Sequence, residues 1–148
     1  MELLLRPFRH YFDCRGRSGR AELWLFVCLS LILLVLARPV DQALGVPPRI
    51  DAQGRALPGA GPALAGVMLL LFVPGVAVTI RRLHDTGRRG WWMLLPIAPP
   101  FIVLPLMEFV EWLGFIIIGV ASGAGLLVLL ILLCLPGTSR ANRFGPPA

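Results

Sequence analysis

The chain has no lysine, and only 15% of its 148 residues are charged, against about 25% in an average soluble domain. With so little polar surface, water is a poor solvent for any fold it adopts. Three cysteines, Cys14, Cys28 and Cys134, are an odd number without metal-ligand spacing, so neither a disulfide framework nor a zinc site is supported. Histidine occurs twice, at His10 and His84, and there is no GxSxG or HExxH motif. Nucleophile-elbow and zinc-hydrolase chemistry therefore have no sequence support. No cofactor motif is present, and none is expected to bind.

What is abundant is apolar. The hydrophobic fraction is 57% and the mean hydropathy +0.79. Net charge is +6, carried by fourteen arginines. In a soluble protein that excess would suggest nucleic acid. Here the arginines flank apolar runs, so membrane lipids, and anionic headgroups in particular, are the expected counter-charge, and nucleic acid is not.

Four apolar stretches stand out, and they predict an all-α polytopic membrane protein. This would be one integral membrane domain over residues 1–148, with four transmembrane helices and Pro-kinked second and third spans. The spans are placed at about 22–38, 62–80, 91–107 and 112–135. The first, Leu23 to Ala37, is short for a membrane core of about 30 Å and is flanked by Arg20, Glu22 and Arg38. The segment before it is too long for the n-region of a signal peptide, so it is read as retained. The second contains Pro74-Gly75. The third carries Pro96, Pro99, Pro100 and Pro105; a kinked span and a re-entrant segment both fit, and the span is preferred because the fourth stretch must return the chain. The fourth holds a small-residue face, Gly119, Ser122, Gly123 and Gly125, expected to pack a neighbouring helix closely, so that Gly123→Leu should disturb folding. Homodimerisation through that face is the alternative.

Orientation follows from arginine counts. Arg6, Arg9, Arg15, Arg17, Arg20, Arg81, Arg82, Arg88, Arg89, Arg140 and Arg143 fall on one side of the four-span topology, and only Arg38, Arg49 and Arg55 on the other. The positive-inside rule puts residues 1–21, 81–90 and 136–148 in the cytoplasm and leaves 39–61 as an external loop. Both termini are then cytoplasmic. Trp24, Trp91, Trp92 and Trp112 fall at span ends and are read as interface anchors.

Three segments carry most of the polar chemistry. In the first, Ser18 is a candidate N-cap, and Glu22 could serve either the helix dipole or an arginine of the hinge. In the hinge, Arg81 and Asp85 are spaced for an i,i+4 pair, and Gly87 suits a left-handed cap. His84-Asp85 suggests a base and its orienter, but adjacent helical residues do not face one another. In the tail, Pro136-Gly137 ends the fourth helix, Asn142 and Gly145 suit turns, and Phe144 could tuck back into the interface. Acids at the edge of a low-dielectric slab need partners, so Asp85 or Glu22 is expected beside an arginine from another segment. The candidate cytoplasmic cluster is Arg17, Arg20, Glu22, Arg81, Arg82, His84, Asp85, Arg88, Asn142 and Arg143.

GRxxRxExWxF at Gly16–Phe26, RRLHDTGRxGWW at Arg81–Trp92 and NRFGP at Asn142–Pro146 resemble the signature of the bacterial inner-membrane family called domain of unknown function 805. The resemblance covers nearly the whole chain. It departs at Cys14 and Leu23, where the family favours aromatics, and at Arg89, where a serine is common. It implies a small helical inner-membrane protein and no established activity. The leading expectation is a non-enzymatic protein that binds lipid headgroups or a protein partner through the cytoplasmic cluster. A small transporter or channel subunit is the alternative, a membrane-embedded enzyme using His84 and Asp85 a third reading, and a homo-oligomer is compatible with each.

Overall fold

The computed structural model describes residues 2–47, 49–50, 52, 56–57 and 61–147. Five α-helices follow in order: α1 Glu2–Arg9, α2 Arg20–Ala43, α3 Pro62–Asp85, α4 Ala98–Val103 and α5 Met107–Cys134. The one sheet among the described residues is a two-residue antiparallel ladder, β1 Arg49–Ile50 against β2 Ala56–Leu57, with Arg49 opposite Leu57. It lies in the long connection between α2 and α3. The rest of the described fold is helical.

Among the described residues, three helical stretches are long and apolar enough to cross a membrane: α2, α3, and Trp112–Cys134 within α5. The fifteen-residue run that looked short sits inside a 24-residue helix about 36 Å long at 1.5 Å per residue. The helix runs on through Arg38-Pro39, so it overruns the expected end at 38. A proline near a helix C-terminus removes a single hydrogen bond, and packing against α3 compensates. Likewise α3 overruns position 80 and ends at Asp85. Its last turn looked like loop because it is charged. Those charges are buried, and their burial carries the helix to Asp85. The backbone of α5 begins at Met107 and so takes in the Glu108–Glu111 connection, whose side chains lie outside the described residues.

The third apolar stretch, predicted as a kinked span, is not one helix. A 3₁₀ segment, Gly90–Leu94, leads through turns into the short α4, then a second 3₁₀ turn at Leu104–Leu106. Four prolines between 96 and 105 each remove an N–H donor and crowd the preceding turn, so no long ladder can form.

Pro74 leaves a different mark. It cannot donate to the carbonyl of Leu70, four residues back. The Tyr11 hydroxyl donates to that oxygen at 2.9 Å instead, so the N-terminal segment supplies the bond that the proline removes. α3 continues through the site.

The α2–α3 pair is closed at its other end by Asp41, which sequence reading left in the external loop. Asp41 is buried in the last turn of α2. Its carboxylate accepts the backbone N–H groups of Ala63 at 2.8 Å and Leu64 at 3.1 Å. α3 begins with Gly61 and Pro62 and has no side-chain cap of its own. A cap borrowed from a neighbouring helix satisfies those orphan donors and meets the positive dipole end. Asp41→Ala is therefore expected to cost about 1–2 kcal/mol, at the upper range for a lost helix cap, measured as a fall in unfolding midpoint in detergent.

The apolar interior is one cluster, Leu23, Phe26, Leu71, Val78, Leu83, Leu129, Leu132 and Leu133. It runs from the end where α2 begins and α3 and α5 finish to Leu71, near the middle of α3. Elsewhere large apolar side chains point outward along all three long helices, among them Val35, Leu69 and Ile131. That is the surface expected of a protein whose solvent is lipid.

The small residues of α5 divide. A β-carbon added at Gly119 or Gly123 would meet nothing within 4 Å among the described residues. At Gly125 it would lie 2.6 Å from the carbonyl oxygen of Leu95 and 3.0 Å from the nitrogen of Pro96. Gly123 and Gly125 are about 200° apart around a helix of 3.6 residues per turn, so only one can face the Pro-rich segment. The Ser122 hydroxyl is enclosed and has no hydrogen-bond partner among the described residues.

Candidate functional site

The three charged segments meet at the end of the bundle where α2 starts and α3 and α5 finish. Asp85, the last residue of α3, is the centre. Arg17 Nε donates to Asp85 Oδ1 at 2.9 Å, with Nη2 2.7 Å from the same oxygen. Arg82 Nη1 pairs with Oδ2. All three residues are buried. The expected i,i+4 partner, Arg81, points elsewhere, because Arg82 takes the i,i+3 position while Arg17 arrives from 68 residues away.

Arg81 instead meets Glu22. Nη2 lies 3.1 Å from Glu22 Oε1, and Arg6 Nη1 lies 3.6 Å from Oε2. The Arg81–Glu22 distance is that of an ion pair, yet neither Glu22 oxygen nor Arg81 Nη2 has a hydrogen-bond partner among the described residues. Charge holds this pair more than alignment does. Glu22 also lies in the first turn of α2, so the two readings of that carboxylate are compatible in one geometry.

Ser18 does not cap α2. Gly19 occupies the N-cap position, and Ser18 donates its backbone N–H to the Arg81 carbonyl at 3.1 Å, leaving its hydroxyl buried without a partner among the described residues. α3 closes with a Schellman motif. Gly87 N–H reaches His84 O at 3.0 Å, Arg88 N–H reaches Leu83 O at 2.9 Å, and Gly87 takes φ +75°.

Three buried arginines, Arg17, Arg81 and Arg82, face two buried carboxylates, Glu22 and Asp85. Backbone carbonyls take up the excess charge. Arg82 Nε donates to Leu133 O at 3.0 Å, and Nη2 donates to Leu135 O. An α3 arginine thus caps the C-terminus of α5, where carbonyls lack partners and the dipole is negative. Arg17 performs the same task for the tail. Nη1 donates to Arg140 O at 2.9 Å and Gly145 O at 3.4 Å, and Nη2 to the Thr138 carbonyl and, at 3.0 Å, its hydroxyl.

The tail is folded onto this platform. Thr138 donates its N–H to Asp85 O at 2.9 Å. Asn142 Nδ2 donates to His84 O at 3.0 Å, and its Oδ1 accepts the Phe144 N–H at 2.9 Å, closing a turn in which Asn142 and Gly145 exchange backbone hydrogen bonds. The Phe144 ring stacks on His84, centroids 3.9 Å apart and 3° from parallel, and the Arg143 guanidinium carbon lies 4.7 Å from the centroid of the same Phe144 ring. His84 Nδ1 is 3.3 Å from Gly16 O. Arg143 also donates to Gly87 O at 3.2 Å. At Gly137 there is no room for a side chain, since a β-carbon would overlap the Asp85 carboxylate.

The ten cluster residues therefore divide. Arg17, Glu22, Arg81, Arg82 and Asp85 are buried and occupied with one another. His84 and Asn142 are half-buried and hold the tail. Arg20 and Arg143 are exposed and Arg88 half-buried, at the rim. Trp24, Trp91, Trp92 and Trp112 all lie on the surface, between 37% and 69% exposed. Sequence reasoning missed the roles of Arg17 and Arg82 as caps for other segments, and those of Asp41 and Tyr11. Tyr11 had a signal, since Pro74 guarantees an orphan carbonyl at Leu70.

The family model described as protein of unknown function (DUF805) matches residues 11–146. The chain is 30% identical over 146 residues to the inner membrane protein YhaH of Escherichia coli K12, covering 99% of the chain and 95% of that relative. It is 31% identical to the inner membrane protein YhaI of the same strain, covering 98% and 93%. The uncharacterized protein YiiR of that strain matches over 88 residues at 33% identity, covering 59% of the chain and 51% of the relative. No solved structure matches. With a family model spanning Tyr11 to Pro146 and two relatives aligned almost end to end, the chain belongs to the DUF805 family.

Proposed function

We propose that this is a non-enzymatic integral protein of the bacterial inner membrane whose cytoplasmic arginine rim binds anionic lipid headgroups. The division of the arginines carries the reading. Arg17, Arg81 and Arg82 are consumed inside the fold. Arg20, Arg88, Arg89, Arg140 and Arg143 remain around the same end, with Trp91 64% exposed nearby in the chain. Arginine forks beside an interfacial aromatic are suited to lipid phosphate. The relatives' names place them in the inner membrane, which supports the same location here.

The topology in this proposal has four crossings and both termini in the cytoplasm. The eleven-to-three arginine asymmetry supports it. So does the packing: Arg82 at the end of α3 caps the end of α5. Two helices that end together need the intervening chain, Gly90 to Leu106, to travel back along the bundle. Broken helix is tolerated at membrane depth where protein covers it, and Leu95-Pro96 lies against Gly125 of α5.

Reporter fusions at Gly54 and Ala148 should report opposite sides; the same side for both would refute the topology. For binding, native mass spectrometry of the purified chain should show phosphatidylglycerol retained over phosphatidylcholine. An R20Q/R88Q/R143Q variant should weaken that retention by about 1 kcal/mol per charge removed. Equal retention of the two lipids by the parent chain would refute the function.

A further inference from the structure

The segment between α1 and α2 does not stay at the charged end of the bundle. Arg6 lies against Glu22 in the first turn of α2, and Phe8 packs on Phe26 with ring centroids 5.8 Å apart. Tyr11 then reaches Leu70. Leu70 is fifteen residues before Asp85, about 22 Å along a helix rising 1.5 Å per residue. By Gly16 and Ser18 the chain is back beside His84 and Arg81. Residues 10–15 thus form a loop that leaves the charged end far enough for the Tyr11 side chain to reach Leu70 and then returns to it.

That loop encloses an open depression of about 660 Å³ lined by Arg9, His10, Tyr11, Phe12, Asp13 and Arg15. Asp13 is engaged within the loop, accepting the Arg15 backbone N–H at 2.8 Å and lying 3.6 Å from His10. The Arg15 N–H holds its carboxyl below the ordinary value, with His10 adding to the effect. Among the described residues, neither the Arg9 nor the Arg15 side chain makes an ion pair, and both are exposed. Phe12 projects beside them at 82% exposure.

Two exposed guanidiniums that make no ion pair among the described residues, set beside Phe12 on a loop next to the charged end of the bundle, are suited to a lipid phosphate, which arginine forks bind in pairs of hydrogen bonds. The geometry points to this depression as a specific site for one anionic phospholipid, its phosphate on Arg9 and Arg15 and its acyl chain along Phe12. A site so built joins two guanidiniums to the aromatic side chains of Tyr11 and Phe12, which a phospholipid matches with its phosphate and the start of its acyl chain. The inference rests on the anionic-lipid reading above and names a site that the rim does not include.

The test is native mass spectrometry of the full chain in detergent, titrated with phosphatidylglycerol and, separately, phosphatidylcholine. R9Q/R15Q should weaken phosphatidylglycerol binding about thirty-fold, from two charges at the strength expected near a membrane surface. It should leave phosphatidylcholine binding unchanged. Asp13→Asn keeps the acceptor oxygen but removes the negative charge, and should strengthen phosphatidylglycerol binding about fivefold, a gain that structural damage does not give. Phosphatidylglycerol affinity within about twofold of the parent in both variants overturns the site. If R20Q/R88Q/R143Q still loses binding in that case, the rim reading stands and only this site is wrong. If the parent itself does not prefer phosphatidylglycerol, both fail.

Discussion

Asp85→Asn should lower the unfolding free energy by about 3–5 kcal/mol, the cost of leaving buried charges without their partner. The change is nearly isosteric, so packing is preserved and the loss is electrostatic. Arg17 and Arg82 both lean on this carboxylate, and both are buried. Neither can turn to solvent without releasing what it caps: the tail carbonyls for Arg17, the α5 terminus for Arg82. The variant's tail, residues 136–148, should accordingly become a substrate for limited proteolysis while α2 stays protected. Asp13→Asn is the control. Asp13 is an exposed carboxylate whose partners, the Arg15 N–H and the His10 ring, lie in its own loop, and the unfolding midpoint should not move. An unfolding midpoint for Asp85→Asn equal to that of the parent would mean that the cluster adds nothing to the fold.

Gly125→Leu should be the most damaging substitution in α5. The first added carbon already lies 2.6 Å from Leu95 O and 2.7 Å from Leu95 C, and backbone atoms cannot rotate away as a side chain can. Overpacking of this kind costs about 1–3 kcal/mol and occasionally more. Gly123→Leu, two residues away on the opposite side of the helix, should change stability by no more than about 0.5 kcal/mol, the usual effect of a surface change. Thermal unfolding of both variants in detergent separates the two outcomes. Equal losses would place the Pro-rich segment elsewhere, and a loss at Gly123 alone would restore the side of α5 that carries Gly119 and Gly123 as a packing face, between copies of the chain if not within one.

The helices were legible because apolar runs of about twenty residues have few alternatives in lipid. Their ends were not. Hydropathy stops at Ile80, but α3 continues to Asp85 because Arg81 and Arg82 find partners on α2 and α5 that no local pattern reveals. The prolines at 96, 99, 100 and 105 announced a broken segment, though not that its backbone would lie on Gly125. That the charged segments would need one another was legible from the cost of an unpaired acid at a membrane edge. Which arginine took which acid was not. Local spacing favoured Arg81 with Asp85, while the fold chose Arg17 from 68 residues away and left Arg81 to Glu22. The tail read as punctuation, because Asn142 and Gly145 signal a turn regardless of what the turn rests on. Its platform, the His84 ring and the Arg17 fork, is a tertiary fact.

The central claim is that the N-terminal segment, the hinge and the tail are one unit joined by Arg17 and Asp85. A double-mutant cycle with Arg17→Gln, Asp85→Asn and the combined variant tests it most directly, read as unfolding free energies in mixed micelles. A shared buried ion pair predicts a coupling energy of about 2–3 kcal/mol, with the double variant losing far less than the sum of the singles. Single losses that add to within about 0.5 kcal/mol, as they do for sites that do not touch, would contradict it.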